Sequence, residues 1–370
     1  MKIFYDHQIF TFQKYGGISR YFFELMKYFK SIGGVNITTP FIFSNNYYIS
    51  DNKIIKHMKF LPHTEFRGKY RLFRLLISFN KILAITNLKK QDFDIFHPTY
   101  YDPYFLKYIG NKPFVLTVHD MIHEKFGEMF KRQDKTSEHK RLLVKKATII
   151  IAVSENTKKD LIDLFGINES KIEVVYHGNS MLPGSDLKIN IDIPKNYILF
   201  VGLREDGYKN FNRFIKAVSS LLIKNKELFV VCAGGGKFRI DERALLEQLD
   251  ISKQVVQYDV NDNILAYLYK NASVFVFPSL YEGFGIPVLE AFASNCPLVC
   301  SNTSSLPEIA GEGAIYFDPY SEDSIKNAII KVLENTNLRN NIVRAGIERL
   351  KNFSWEKTAI KTKRIYEKIM

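Results

Sequence analysis

Apolar residues recur along this chain in two alternating rhythms. Short apolar runs at residues 1–6, 36–43, 93–96, 113–118, 148–153 and 172–176 have the length of buried strands, and so do 197–201, 228–233, 255–258, 274–277, 297–300 and 314–318. Between them, apolar positions return every three or four residues. That spacing predicts helices over 21–30, 66–88, 138–146, 156–165, 211–222, 262–269, 288–293, 324–334, 338–351 and 353–369. Ser154 stands where a cap for the helix at 156–165 belongs. The rhythm breaks once, over residues 183–194, which are polar and interrupted by Pro183 and Pro194 and so mark a linker. Strands alternate with helices on both sides of it. This pattern predicts an α/β protein of two doubly wound domains with a cleft between them.

Composition agrees with that outline. At 370 residues the chain is long enough for two cores. Its 46% hydrophobic and 25% charged residues suit a soluble globular protein. No apolar run approaches the ~20 residues of a membrane span, and MKIFYDHQIF lacks the apolar stretch of a secretory signal. Cys232, Cys296 and Cys300 all lie in apolar strands. They make neither a disulfide framework nor a metal set, and buried thiols in a reducing cytoplasm are expected.

Charge divides the chain unevenly. Residues 1–185 carry 28 Lys and Arg against 17 acids, and the remainder carries 24 against 22. Residues 53–90 hold ten Lys and Arg and one acid, Glu65. Within them Leu72, Leu75, Leu76, Phe79, Ile82 and Leu83 fall at helical intervals among Arg67, Lys69, Arg71, Arg74 and Lys81. A basic helix with an apolar stripe suits peripheral contact with an anionic membrane surface. A nucleic-acid-binding protein is the non-enzyme alternative. The region has none of the recognition-module signatures that would support it, and no nucleic-acid partner is expected.

The chemistry concentrates at strand ends. Residues 273–311 read as strand, loop, helix, strand, with Tyr281-Glu282-Gly283-Phe284-Gly285 as the loop and Pro287 in the first helical turn. Gly283 and Gly285 let backbone N–H groups approach a ligand, and a helix start behind them favours an anion, typically phosphate. Glu290 lies eight residues beyond Glu282, about two helical turns, which would place both carboxylates on one face. Acids beside a phosphate site suit sugar or ribose hydroxyls better than the phosphate itself. Lys14-Tyr15-Gly16-Gly17 before the helix at 21–30 forms a second glycine turn. His119-Asp120 ends the strand at 113–118, with His123 close behind. Gly202-Leu203-Arg204-Glu205-Asp206-Gly207-Tyr208-Lys209-Asn210 follows the strand at 197–201, and Gly234-Gly235-Gly236 follows that at 228–233. A nicotinamide-binding Gly-x-Gly-x-x-Gly does not match the triple glycine.

Residues 273–311 resemble the donor-site signature of the retaining nucleotide-sugar glycosyltransferases of the GT-B fold, glycosyltransferase family 4. Its two glutamates are separated by seven residues, as Glu282 and Glu290 are, and Ser301-Asn302 and Leu306-Pro307-Glu308 also resemble it. The resemblance implies two Rossmann-like domains, an acceptor-binding one at 1–185 and a nucleotide-sugar-binding one at 186–352, with a last helix at 353–370 crossing back to the first. It implies that Glu282, His119 and Lys209 act in catalysis, Glu282 holding the sugar ring and His119 touching it. Gly16 and Gly17 would face the donor phosphates across the cleft. Lys209, Arg204 and the N–H groups of Gly283, Phe284 and Gly285 would hold the diphosphate, and Glu290 the ribose hydroxyls. Arg204 stands one residue later than the family's arginine, whose place Leu203 takes.

No resident cofactor or metal is expected, the nucleoside-diphosphate sugar being a substrate. Asp92-Phe93-Asp94 has the spacing of a metal motif but lies beside a buried strand. The implied activity is hexosyl transfer, with mannose from GDP-mannose first in line. The acceptor would be a lipid-linked or oligosaccharide acceptor in bacterial surface-polysaccharide synthesis, handled on the inner face of the cytoplasmic membrane. A sugar-nucleotide epimerase of the same fold is the alternative within enzymes.

Overall fold

The computed structural model describes residues 1–52, 55–60, 66–181, 191–204 and 207–370, without the side chains at positions 51, 52, 70, 74 and 76. Residues 183–190 of the expected linker and the domain boundary after residue 185 lie outside the described residues, as do Lys53, Glu65, Glu205 and Asp206. The chain forms two compact units. One comprises Met1–His177 together with Trp355–Met370, the other Gly178–Ser354.

The first unit is built on parallel strands. They are β1 (Lys2–Tyr5), β2 (Asn36–Thr38), β3 (Ile95–His97), β4 (Val115–Val118), β5 (Ile149–Ala152) and β6 (Ile172–Val174). They pair in the orders β2-β1-β3 and β4-β5-β6, and a parallel bridge between Phe96 and Phe114 ties β3 to the start of β4. The helices are α1 (Gln8–Phe12), α2 (Gly17–Ile32), α3 (Tyr47–Asn52), α4 (Lys69–Lys90), α5 (Ile122–Lys125), α6 (Thr136–Lys146) and α7 (Glu155–Phe165). Ser154 caps α7 by accepting from Thr157 N. The strand expected over 36–43 stops at Thr38, because Pro40 has no N–H for the ladder. Phe43 makes only an isolated bridge to Met58.

Tyr21, Phe22, Leu25, Met26 and Phe29 of α2 share one core with Ile3, Tyr5 and Ile95, and with Trp355, Ala359, Ile365 and Tyr366 of the C-terminal helix (Trp355–Lys368). A polar thread runs through this apolar mass. The hydroxyls of Tyr5 and Tyr366 are 2.7 Å apart, and Tyr366 Oη lies 2.6 Å from His97 Nδ1. His97 Nε2 lies 2.9 Å from Thr117 Oγ1, which lies 3.2 Å from Tyr21 Oη. Every buried group in the thread is thereby hydrogen-bonded, which is the condition for keeping it in a core.

The basic helix forms, and its apolar stripe does not face the core. Leu72, Leu75, Phe79 and Ile82 are exposed, whereas Asn80, Ala84 and Leu88 are buried. The reason is Asn80. Its side chain accepts from the N–H groups of Ile42 and Phe43 and donates to Phe43 O and Thr11 Oγ1, so the helix turns this residue inward. Leu83 is half-buried; Arg74 and Leu76 belong to the undescribed side chains.

The second unit contains one parallel sheet of β7 (Tyr197–Val201), β8 (Phe229–Ala233), β9 (Val255–Tyr258), β10 (Val274–Phe277), β11 (Leu298–Ser301) and β12 (Ala314–Phe317). Its order is β12-β11-β10-β7-β8-β9. The chain direction across the sheet reverses between β7 and β10, which is where open α/β sheets bind ligands, at the carboxyl ends of the strands. The helices are α8 (Phe211–Lys224), α9 (Ile240–Gln248), α10 (Asp262–Asn271), α11 (Ile286–Ala293), α12 (Leu306–Ala310), α13 (Glu322–Glu334) and α14 (Thr336–Leu350). Phe211, Phe214 and Val218 of α8 and Ile325 and Ile329 of α13 pack into the core under the sheet. Phe292 of α11 is lodged against two glycines. A Cβ at Gly313 or at Gly346 would come within 2.5 Å of its ring. All three cysteines are buried free thiols, and burial pushes Cys232 up to about 12.

Candidate active site

The loops leaving β7 and β10 are zipped together at the reversal point. Tyr208 O accepts from Leu280 N at 2.6 Å. One residue on, Lys209 Nζ lies 2.6 Å from Glu282 Oε1. Asn210 then donates to Pro278 O and Pro319 O at 3.0 and 2.8 Å. Asn210 adopts φ +60°, a left-handed conformation that asparagine tolerates better than most residues, and this turns the chain into α8. Ser279 Oγ donates to the same Glu282 oxygen at 2.6 Å, and Ser304 Oγ accepts from Glu282 N at 3.0 Å. Ser305 Oγ is within 2.9 and 3.0 Å of the carbonyls of Glu282 and Phe284. The Lys209–Glu282 pair is mostly buried and fixed from three sides. It is a preorganised cation beside a preorganised carboxylate, which suits a ligand carrying both negative charge and hydroxyls.

The loop 281–285 is buried throughout, Gly283 and Phe284 included. Gly285 sits at φ +96° as the N-cap of α11, and a Cβ there would meet Leu306 Cδ2 at 2.9 Å. The positive φ favours glycine, and the nearby Leu306 methyl adds to the strain of any larger residue. Glu290 is on α11, buried, and accepts from Tyr269 Oη at 3.2 Å. The one-face arrangement of the two glutamates does not hold. Glu282 precedes the helix, which begins at Ile286, so half of their separation is loop and only the rest is helical rise.

Arg204 also departs from expectation. Its side chain is fully buried and faces the unit's interior, not a diphosphate. The guanidinium donates to the carbonyls of Gly234, Gly235 and Gly236, and its Nε lies 3.2 Å from Glu242 Oε1. Phe238 lies beneath it, 4.7 Å from Cζ to ring centroid. The three glycines, at φ +79°, +73° and +71°, turn all three carbonyls toward this one cation. The triple-glycine turn is thus a receptor for Arg204, which fixes the loop after β8. Leu203 takes the exposed position instead.

In the first unit, Gly16 and Gly17 begin α2 as expected, and Gly16 is its N-cap. Gln13 covers this helix start. Its Oε1 accepts from Ser19 N at 3.0 Å, and its amide lies where a Cβ on Gly16 would be, at 2.3–2.8 Å. His119 follows β4. Its backbone N–H donates to Tyr101 Oη at 3.2 Å, and its ring stands edge-on to Tyr21 at 5.2 Å. Burial, with His177, His97 and Lys140 nearby, holds its pKa well below the ordinary histidine value, so the ring is neutral. His119 Nε2 is buried without a hydrogen-bond partner. Lys140, wholly buried, braces the following turn through Asp120 O and Glu124 Oε2 at 2.9 and 2.8 Å. His123 stacks on Phe130 at 3.8 Å, with Asp134 3.7 Å away. Asp92 and Asp94 bind Lys2 at the start of β1. Among the described residues, no group of three or more His, Cys, Asp or Glu side chains is placed to hold a metal ion.

Sequence reasoning missed Ser279, Ser304, Ser305, Asn210 and Tyr269, which position the charged pair and Glu290, and Gln13, which caps α2. The Asn302-Thr303-Ser304-Ser305 run after β11 was the available signal: hydroxyls at a strand's carboxyl end commonly hold the neighbouring loop.

Comparison with known proteins agrees with the geometry. The glycosyl transferases group 1 model matches residues 186–349, and the glycosyltransferase family 4 model matches residues 15–179. The O-antigen chain mannosyltransferase B of Escherichia coli is 30% identical over 60% of this chain, which spans 61% of that relative's length. An uncharacterized glycosyltransferase of Methanocaldococcus jannaschii is 30% identical over 71% of each chain. The sucrose-phosphate synthase of Thermosynechococcus elongatus superposes with a TM-score of 0.77 at 18% identity, covering 99% of this chain and 98% of that one, which shows a common GT-B fold. With the charged pair at the sheet's reversal point and both halves matched by family models, the chain belongs to glycosyltransferase family 4.

Proposed function

We propose that the protein transfers a mannosyl group from GDP-mannose, with retention at the anomeric carbon, to a lipid-linked or oligosaccharide acceptor in surface-polysaccharide synthesis. The observation that carries this is the Lys209–Glu282 pair at the β7/β10 reversal, 2.6 Å apart and held by Ser279. The similarity to an O-antigen mannosyltransferase supports mannose as the group moved. In the transfer, the bond between the anomeric carbon and the distal phosphate oxygen breaks. A bond to the acceptor oxygen forms on the same face, and the acceptor's proton leaves with the diphosphate. Lys209 stabilises the charge that develops on that phosphate. Glu282 orients Lys209 and accepts from a sugar hydroxyl. Glu290 binds the ribose.

The exposed Leu72, Leu75, Phe79 and Ile82 on α4, with Arg67 and Arg71 exposed at its start and Lys89 and Lys90 at its end, support peripheral attachment to an anionic membrane. Among the described residues no helix is long and apolar enough to cross one.

The test is transfer from radiolabelled GDP-mannose to membrane lipid extract by wild type, Lys209→Ala and Glu282→Ala, alongside thermal shifts with GDP, UDP and ADP. A GDP-specific shift and loss of transfer in both variants are expected. Transfer undiminished in both variants overturns the site, and stabilisation by UDP alone overturns the donor.

A further inference from the structure

Beside the Gly16 turn the first unit displays a small aromatic surface. Tyr15 and Tyr47 are 45% and 40% exposed, with ring centroids 5.7 Å apart. Tyr48 completes the cluster at 5.2 and 5.5 Å from them, and is itself buried. It is clamped between Phe23, 6.0 Å away and nearly parallel, and the Arg20 guanidinium, 5.0 Å above its ring.

Single exposed aromatics are ordinary and need no explanation. The backbone here is different, because buried polar side chains fix it. Asn46, 1% exposed, donates to Gln13 O at 2.7 Å and accepts from Tyr48 N at 3.1 Å. Tyr47 N donates to Lys14 O at 2.9 Å, joining the two tyrosine-bearing segments directly. Ser44, fully buried, donates to Phe10 O. Asn80 of α4 anchors the same strip through Ile42 and Phe43. Buried hydrogen bonds therefore hold two half-exposed rings in a set orientation next to the start of α2. A core does not require that, whereas a binding surface does.

The chemistry of the surface narrows its ligand. A tyrosine ring offers a flat apolar face and a hydroxyl at its rim, at low conformational cost. A pyranose offers the complement: one face of C–H groups and a rim of hydroxyls. We infer that Tyr15 and Tyr47, set on Tyr48, form a stacking platform for a sugar ring of the acceptor. The inference rests on the glycosyl-transfer reading above and specifies that the acceptor's recognised end is a pyranose.

The experiment separates the two. Saturation-transfer NMR with methyl α-D-mannopyranoside, methyl β-D-galactopyranoside and methyl N-acetyl-α-D-glucosaminide is recorded on wild type, Tyr15→Ala, Tyr47→Ala and the corresponding Phe variants. Thermal shift with GDP runs in parallel, and so does sedimentation with vesicles of phosphatidylethanolamine and phosphatidylglycerol. Saturation of the ring protons of at least one glycoside is expected in wild type and the Phe variants. In the Ala variants the affinity falls by about tenfold, the worth of one aromatic contact, with the GDP shift and melting temperature unchanged. Equal saturation in wild type and Ala variants overturns the platform, as does absence of saturation by all three glycosides. Loss of vesicle binding in the Ala variants with glycoside contacts intact also overturns it, assigning the rings to the membrane. Absence of the GDP shift in every form, with the platform behaviour intact, counts against the donor assignment alone.

Discussion

Two buried polar assemblies, one in each unit, are built in opposite ways, although the first unit also pairs buried Lys140 with Glu124. In the second, charges are paired: Lys209 with Glu282 at the sheet's reversal, and Arg204 with Glu242 beneath the triple-glycine turn. In the first, the interior thread from Tyr5 through Tyr366, His97 and Thr117 to Tyr21 is neutral, and burial holds His97 and His177 down to about 3. Paired charges fix a loop strongly, and removing one partner strands the other. Neutral threads hold more loosely but respond to pH. The charged assembly is therefore expected to fail by substitution, and the neutral thread by acid.

Arg204→Ala puts the most at risk. It leaves three glycine carbonyls without their donor and Glu242 with only the more distant Arg239 guanidinium at 3.7 Å, and should cost about 3–5 kcal/mol of the second unit's stability. Thermal unfolding measures it, and Arg204→Lys should recover little, because one ammonium cannot span three carbonyls and a carboxylate. A small loss would mean that the turn stands without its arginine. Next comes Lys209→Ala, expected to lower transfer by about two to three orders of magnitude, as for loss of one preorganised stabilising donor, with a smaller loss of melting temperature than Arg204→Ala, because Ser279 still donates to Glu282.

Acid sharpens the contrast from the other side. His97 and His177 titrate below their ordinary value in the folded chain, so between about pH 3 and 6.5 the unfolded chain binds the extra protons. Stability contributed by each is complete above pH 6.5 and declines as pH falls, by up to about 1.4 kcal/mol per unit. Hydrogen exchange at pH 5 against pH 7.5 should show peptides of β3, β4 and the C-terminal helix losing protection before those of β7 and β10. Uniform loss would remove the distinction. Tyr366→Phe, which deletes the hydroxyl shared by Tyr5 and His97, should cost about 1–3 kcal/mol. The smallest effect is expected at Phe79→Ser on α4: within about 0.5 kcal/mol in stability, yet with weaker sedimentation on anionic vesicles.

The same contrast explains what the sequence disclosed. Residues 273–311 were legible because strand, glycine turn, carboxylate and helix follow one another within a few dozen positions, and the sheet order then brings Lys209 to them. Arg204 was misjudged because its partners are the carbonyls of glycines some thirty residues on, and a carbonyl leaves no mark in a sequence. The Tyr5–Tyr366–His97 thread was illegible for a related reason: it joins the two ends of the chain, and each residue alone suits an ordinary core. For α4 the helix and its outward apolar stripe were readable from period and charge, but not the residue that holds the inward side. Asn80 does so, through bonds to a segment that the same rules had taken for strand.

The lodging of Phe292 between Gly313 and Gly346 means that Glu290, two residues earlier on the same helix, inherits its depth from the fit of one phenyl ring. A methyl group at either glycine would collide with that ring, so Phe292 or its neighbours would have to shift. If Glu290 holds the ribose as proposed, its position is then set behind the helix, by residues that make no contact of their own with the carboxylate.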